Sequence, residues 1–324
     1  DMHIMPGERR SCVGCHEIRE KDMVPPVTAG KRPIAAMRQP STPKQPNWGT
    51  DGLIDYIRVV QPVLDKYCIR CHAGATPKGG VNLTSDRTRF FCQSYDNLVD
   101  RGLANFVNVF AQGHDDGTPV SEGSYTSKIN KYIDTKKHCK KEISSEEKQR
   151  IYTWIDANVP YYGSYTYTTL RSRRLGARDS WGGKGGGPWM RKDVAPVFKK
   201  RCYSCHERKA FNPAWYTPGN ITITSKLWTD RGIMAHGFPS RYPMSGLLGP
   251  EFRINLTNPD HSTLLTAPLA KKAGGMGLCR AKDGKPYIFK DKTDPDYQTM
   301  LKAIGVGAKE LKDHPRQDML PVGV

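Results

Sequence analysis

The sequence predicts a mainly α-helical chain whose short helices are joined by long irregular loops. Three observations carry that reading. Apolar residues recur at helical spacing beside good cap signals, most clearly over 144–158 and 294–304. Apolar residues make up 37% of the 324, while Gly (31) and Pro (24) are plentiful, a modest core for this length. One helical run-up also occurs twice, as VQPVLDKYCIRCH from Val60 to His72 and as VAPVFKKRCYSCH from Val194 to His206.

Taken in order, Asp1 to about Glu20 holds the stretch SCVGCHE, and Lys21–Trp48 is Pro-rich without apolar periodicity. The latter reads as an extended linker, or as a strap over a neighbour. A helical segment follows from about Asp51, with Pro62 in the first turn of its last part, where a missing N–H costs nothing. Val63, Leu64, Tyr67, Cys68 and Cys71 fall on one face of it, and Pro196, Val197, Lys200, Arg201 and Cys202 take the matching places in the repeat. Ser144 and Glu147 have the spacing of a capping box, Ile151, Trp154 and Ile155 form an apolar stripe, and Pro160 stops the helix. YYGSYTYTT after it has the composition of a short strand. A Gly-rich stretch over 175–188 marks a boundary, and a late helix from Asp294-Pro295 buries Tyr297, Met300, Leu301 and Ile304.

The predicted organisation is therefore a first segment with its linker (1–48), a second domain (49–175), a Gly-rich linker (176–188) and a third domain (189–324). No run approaches the roughly 18 apolar residues of a membrane span. There is no basic-then-apolar leader, so the chain reads as a processed product or a fragment. The formal charge of +18 is spread along the chain, in clusters no longer than RSRR or KKHCKK, with no nucleic-acid-binding signature beside them. An acidic protein partner, or a negatively charged cofactor set, accounts for the excess better than nucleic acid.

Six of the nine cysteines stand in three copies of C-x-x-C-H: Cys12, Cys15 and His16; Cys68, Cys71 and His72; Cys202, Cys205 and His206. This is the attachment signature of c-type haem. Two thiols three positions apart on one turn reach the two vinyl groups of a porphyrin as thioethers. The adjacent His then lies under the ring as proximal iron ligand. A zinc site would want a second Cys pair at its own spacing, and a thioredoxin-like pair would need one copy only. The expectation is three covalent haem c groups in cytochrome c-like domains. Their porphyrin faces supply the missing core, and their propionates offset part of the positive charge. Cys92 and Cys139 either pair as a disulfide or stay as small buried residues; Cys279 is left over.

Each iron also needs a distal ligand or an open position. Histidine on both sides suits electron transfer at low potential, Met raises the potential, and an open position permits chemistry. His138 is the distal candidate for the second haem. His261, His236 and Met319 compete for the third, and His3, Met5 and Met23 for the first.

Several pieces resemble the C-terminal haem region of hydrazine synthase alpha subunits and their planctomycete relatives. They are MPGERRSCVGCHE (5–17), VQPVLDKYCIRCHAG, SYDNL (94–98), WIDANVPYYGSY (154–165), APLAKKAGGMGLC (267–279) and DPDYQTMLKAI (294–304), in order over most of the chain. The resemblance implies a distal His at the place of His138, ahead of the WID helix. It also implies a β-propeller before the haem region, which this sequence lacks. The catalytic haem of that family has a Tyr iron ligand four positions past the motif His. Glu20, Thr76 and Ala210 stand there in this chain.

Electron transfer between an acidic redox partner and other cytochrome subunits is the expected function. The alternatives are haem-catalysed nitrogen chemistry, with the first haem as its site, and a structural role in which haem domains pack into a homo- or hetero-oligomer. Haem c is attached outside the cytoplasm, so a periplasmic or equivalent compartment, such as an anammoxosome, is implied.

Overall fold

The computed structural model describes residues 46, 48–49, 53–88, 91–106, 122–163, 190–202, 253–279 and 288–320. The chain divides into two units, Asp1–Asn47 and Trp48–Val324, and every element below lies in the second. Among the described residues the regular structure is helical, with two isolated bridges and no strand.

Helix α1 (Tyr56–Val59) starts where Asp55 Oδ1 accepts the Arg58 N–H at 3.3 Å. Its first turn leads directly into α2 (Gln61–Tyr67), which carries Pro62 in its first turn and buries Val63 and Leu64. The helix ends at Cys68, one turn short of the predicted face. Cys71 therefore sits beyond it and is exposed.

Helix α3 (Gln93–Asp100) is buried along most of its length although more than half of its residues are polar. It tolerates this because its polar groups are paired. Asp96 accepts from the Thr88 hydroxyl at 2.6 Å, Asn97 Nδ2 donates to Asn82 O at 2.9 Å, and Gln93 Nε2 donates to Ile254 O at 2.8 Å. Two one-turn helices follow, α4 (Asn130–Ile133) and α5 (Lys136–Cys139), the second closed by Lys140 in the left-handed region (φ 56°).

Helix α6 (Ser145–Asp156) has the predicted capping box with both reciprocal bonds, and buries Ile151, Trp154 and Ile155. It ends before Pro160, where Asn158 and Val159 take positive φ. That reversal points Val159 O at the Tyr95 hydroxyl (2.8 Å) and Pro160 O at Trp154 Nε1 (2.9 Å). Tyr161–Gly163, the start of the predicted strand, are bends. The rest of that strand lies outside the described residues, as do the Gly-rich boundary and the Pro-rich linker.

Helix α7 (Ala195–Arg201) grows out of a π-type turn over Met190–Val194 and ends at Cys202, as α2 ends at Cys68. The apolar helix beyond His261 begins at Thr263 (α8, Thr263–Thr266), and His261 itself closes the turn before it. After α8 the chain doubles back so that Leu269 bridges Phe289. Gly275 fits under this loop because a Cβ there would meet Leu269 O at 2.2 Å. The longest helix, α9 (Pro295–Asp313), is capped by Asp294, which accepts from Asp296 N (2.8 Å) and Tyr297 N (3.3 Å). It buries Tyr297, Met300 and Ile304 as predicted, while Leu301 is only half-buried.

Two apolar cores result. One gathers α1, α2, α3 and α6 around Tyr56, Tyr95, Trp154 and Tyr161. The other gathers α7, α8 and α9 around Phe198, Leu265, Phe289 and Tyr297. Polar contacts join them: Leu256 N donates to Arg87 O (2.7 Å) and Asn255 Nδ2 to Asp86 (2.7 Å). Arg316, fully buried, donates to Thr88 O and Phe91 O, both at 2.6 Å, and pairs with Asp318 at 2.9 Å. Asp318 also accepts from the Tyr161 (2.8 Å) and Tyr162 (3.1 Å) hydroxyls.

Candidate functional site

Helix α2 sets the position of the second C-x-x-C-H. Lys66 and Tyr67 in its last turn both donate to Glu147, at 2.7 and 2.8 Å. Glu147 is also the acid of the α6 capping box, so one carboxylate ties the motif helix to the start of α6. Burial pushes this carboxyl up, yet hydrogen bonds from Lys66, Tyr67 and Ser144 outweigh it and hold it at about 2.

Beyond α2 the backbone makes one more turn, with Cys71 N and His72 N both donating to Cys68 O (3.1 and 3.0 Å). The turn sends Cys68 inward against the first core and leaves Cys71 exposed. His72 Nδ1 lies 3.0 Å from Val81 O. A carbonyl only accepts, so Nδ1 carries the proton and Nε2 keeps its lone pair. Burial holds His72 below the ordinary histidine range, the Val81 hydrogen bond opposes this and His138 adds to it. The imidazole is therefore neutral at pH 7.

Helix α5 brings His138 to face it. The two imidazole rings have centroids 5.8 Å apart and planes inclined by 30°. Tyr132 packs edge-on against His138 at 4.9 Å. The same short helix packs Cys139, like Cys68, against the first core, and the Cys139 S–H donates to Tyr132 O at 3.8 Å. Burial pushes Cys68 up to about 12, and burial raises Cys139 too. Both are free thiols, as is buried Cys92, which contacts Ser94 at 3.2 Å. The Cys92–Cys139 disulfide considered from the sequence is therefore not formed. The reason is placement: Cys92 starts α3 inside the core and Cys139 ends α5 at its edge.

Of the predicted site residues, Cys68, Cys71, His72 and His138 come together. In the third segment Cys202 caps α7, and the preceding basic residues repeat the anchoring seen at Lys66. Lys200 pairs with Asp296 at 2.8 Å, and Arg201 pairs with Asp296 at 3.0 Å and with Asp294. Both described motif helices are thus held by acids at the N-terminus of a longer, downstream helix. Met319 and Cys202 both pack against the second core, and His261 is half-buried beside it. His3, Cys12, Cys15, His16, Cys205, His206 and His236 lie outside the described residues.

Sequence reasoning missed Glu147 as an anchor and Val81 O as the partner of His72. The Glu147 contact had a signal, since Lys occupies the same place in both run-ups. A backbone carbonyl carries none. Among the described residues no group of three or more His, Cys, Asp or Glu is arranged to hold a metal ion. Among the described residues no helix is long and apolar enough to cross a membrane. Neither family models, nor curated proteins, nor solved structures match this chain.

Proposed function

We propose that this chain is a triheme c-type cytochrome that passes electrons within or beside a larger redox complex. The observation that carries the reading is the facing pair His72 and His138. An iron bound on both sides by imidazole nitrogens at about 2 Å sets the two ring centres about 6 Å apart. The observed 5.8 Å fits that separation.

The surrounding residues fit the same group. Val81 O fixes the tautomer of His72 so that Nε2 is available, the usual support for a metal-binding imidazole. Cys68 and Cys71 precede His72 on one turn and are the residues to hold the macrocycle by thioethers. Haem supplies a one-electron couple at iron. The protein would supply two imidazole nitrogens, an apolar wall and a rigid approach, anchored at Glu147. If His72 and His138 both held the iron, they would leave no place for substrate at this haem, which favours electron transfer over catalysis there.

Exposed Lys136, Lys137, Lys140 and Lys141 flank His138; Lys136 pairs with Glu142 at 2.7 Å. Such a collar steers an acidic partner toward the same edge, with an association rate that falls as salt rises. Covalent attachment also implies a periplasm-like compartment.

The test is carbon monoxide added to the reduced native protein, read by optical and resonance spectra. The reading expects a low-spin second haem that binds no carbon monoxide until His138 is replaced. A high-spin, ligand-binding iron at every haem overturns it.

A further inference from the structure

The aromatic heart of the first core has no part in haem attachment, and its rings are of the readily oxidised kind. Trp154 and Tyr95 each lie 5.1 Å from Tyr56, Tyr95 lies 4.9 Å from Tyr161, and Tyr161 lies 4.9 Å from Tyr162, centroid to centroid. At that spacing the π-systems touch, so an electron passes from ring to ring without a gap. All five residues are buried. Their polar partners are unequal. Trp154 Nε1 donates to Pro160 O at 2.9 Å and the Tyr95 hydroxyl to Val159 O at 2.8 Å, and an amide carbonyl holds no proton in water. Tyr161 instead donates to Asp318 Oδ2 at 2.8 Å, within reach for proton transfer. Arg316 keeps that carboxylate ionised, with Nε 2.9 Å from Oδ1 and Nη2 3.0 Å from Oδ2.

We propose that Tyr161 is a redox-active tyrosine. A one-electron radical oxidant, of the class that peroxide generates, draws an electron from it along the contacting rings, and Asp318 takes its phenol proton. The Tyr161 O–H bond breaks and an O–H bond forms on Asp318 Oδ2, while the oxidant is reduced by one electron. A neutral tyrosyl radical and a neutral Asp318 carboxyl remain. Loss of an electron makes a phenol a far stronger acid than a carboxylic acid, so Asp318 accepts the proton even while paired with Arg316. That pairing then works in the other direction. Once ascorbate or a thiol returns the electron, Arg316 favours the ionised Asp318 and the proton goes back to Tyr161. The proton moves along one hydrogen bond only, and burial keeps other radicals away from the ring. The first core thus gives an oxidising equivalent a reversible resting place. The arrangement is made by the chain's own side chains and does not depend on attached haem.

The full native chain, kept oxidised, is treated with flash-generated ruthenium(III) tris-bipyridine, frozen and read by electron paramagnetic resonance. A tyrosyl signal is expected, and Tyr161→Phe should remove most of it. Tyr152, half-buried at the rim of the core, also donates to a carboxylate, Asp134, and Tyr152→Phe should leave the signal. A ring-fluorinated tyrosine at position 161 keeps the shape of the side chain and should split the signal by fluorine coupling. That measurement decides the matter even where the Tyr161→Phe chain does not fold. In heavy water the signal should rise more slowly, since the proton moves with the electron. Absence of a tyrosyl signal, a signal that fluorine at 161 does not split, or one that Tyr152→Phe removes as fully as Tyr161→Phe overturns the proposal. An onset equally fast in heavy and light water overturns the part given to Asp318.

Discussion

His72 and His138 are far apart in sequence and face each other at 5.8 Å. Their settings differ although their side chains are the same. His72 is half-buried and locked by Val81 O, whereas His138 is exposed on a one-turn helix. Replacing His138 is therefore expected to open one iron without dismantling its attachment. His138→Ala should turn one haem of three high-spin and able to bind carbon monoxide, with no change in covalent haem count by pyridine haemochrome. His138→Met should keep that haem low-spin and raise its potential, since thioether sulfur favours the ferrous state. An unchanged spectrum in both variants would mean that His138 is not a ligand. The C-x-x-C-H motifs and His138 could be singled out in the sequence because they are local patterns of a few residue types, and the structure places His138 beside His72. Cys71 was read onto the same helical face as Val63 and Leu64 and is exposed, since α2 stops at Tyr67 and the motif continues as a turn.

At the scale of elements, helices with strong end signals are where they were expected. Ser144, Glu147 and the Ile151, Trp154, Ile155 stripe define α6, and Asp294-Pro295 defines the start of α9. Such signals are made by neighbours in sequence. Helix α3 was not legible, because its buried face is polar and depends on partners such as Ile254 O that only the folded chain supplies. The same elements carry a prediction about α6. Ser144→Ala removes the N-cap acceptor for Glu147 N, bonded at 3.2 Å, and should cost about 1 kcal/mol of stability in denaturant titration. It also removes one of the donors that hold Glu147 over Lys66 and Tyr67. Glu147→Gln keeps the shape while weakening the grip on α2, so it should loosen the second C-x-x-C-H more than Ser144→Ala does. The comparison is read from hydrogen exchange across 61–72; equal protection in the two variants would separate the anchor from the site.

Across the whole molecule, one buried arginine does what no helix does alone. Arg316 reaches Thr88 O and Phe91 O of the first core from the far end of α9, and Asp318 beside it takes both Tyr161 and Tyr162 hydroxyls. Burial, with the Asp318 charge, pushes Tyr161 well above the ordinary tyrosine range, so that hydroxyl stays a donor. Arg316→Met leaves Asp318 buried without its cation and should cost about 3 to 5 kcal/mol, seen as a lowered midpoint for thermal unfolding. Burial alone would raise Asp318, but Arg316 overrides it and holds the carboxyl below its ordinary 3.8, as Glu147 is held at about 2. Both ionise more readily folded than unfolded. Their contribution is therefore complete above about pH 4.5 and is lost as the pH falls toward 2. Arg316→Met should flatten that acid dependence as well as lower the plateau. None of this long-range pairing could be read from composition or spacing, which is why the join between the two cores was invisible in the sequence.

The intact mass of the native chain, taken under denaturing conditions that strip non-covalent groups, tests the central claim most directly. Three haem groups above the polypeptide mass is the predicted result. The bare polypeptide mass would contradict it.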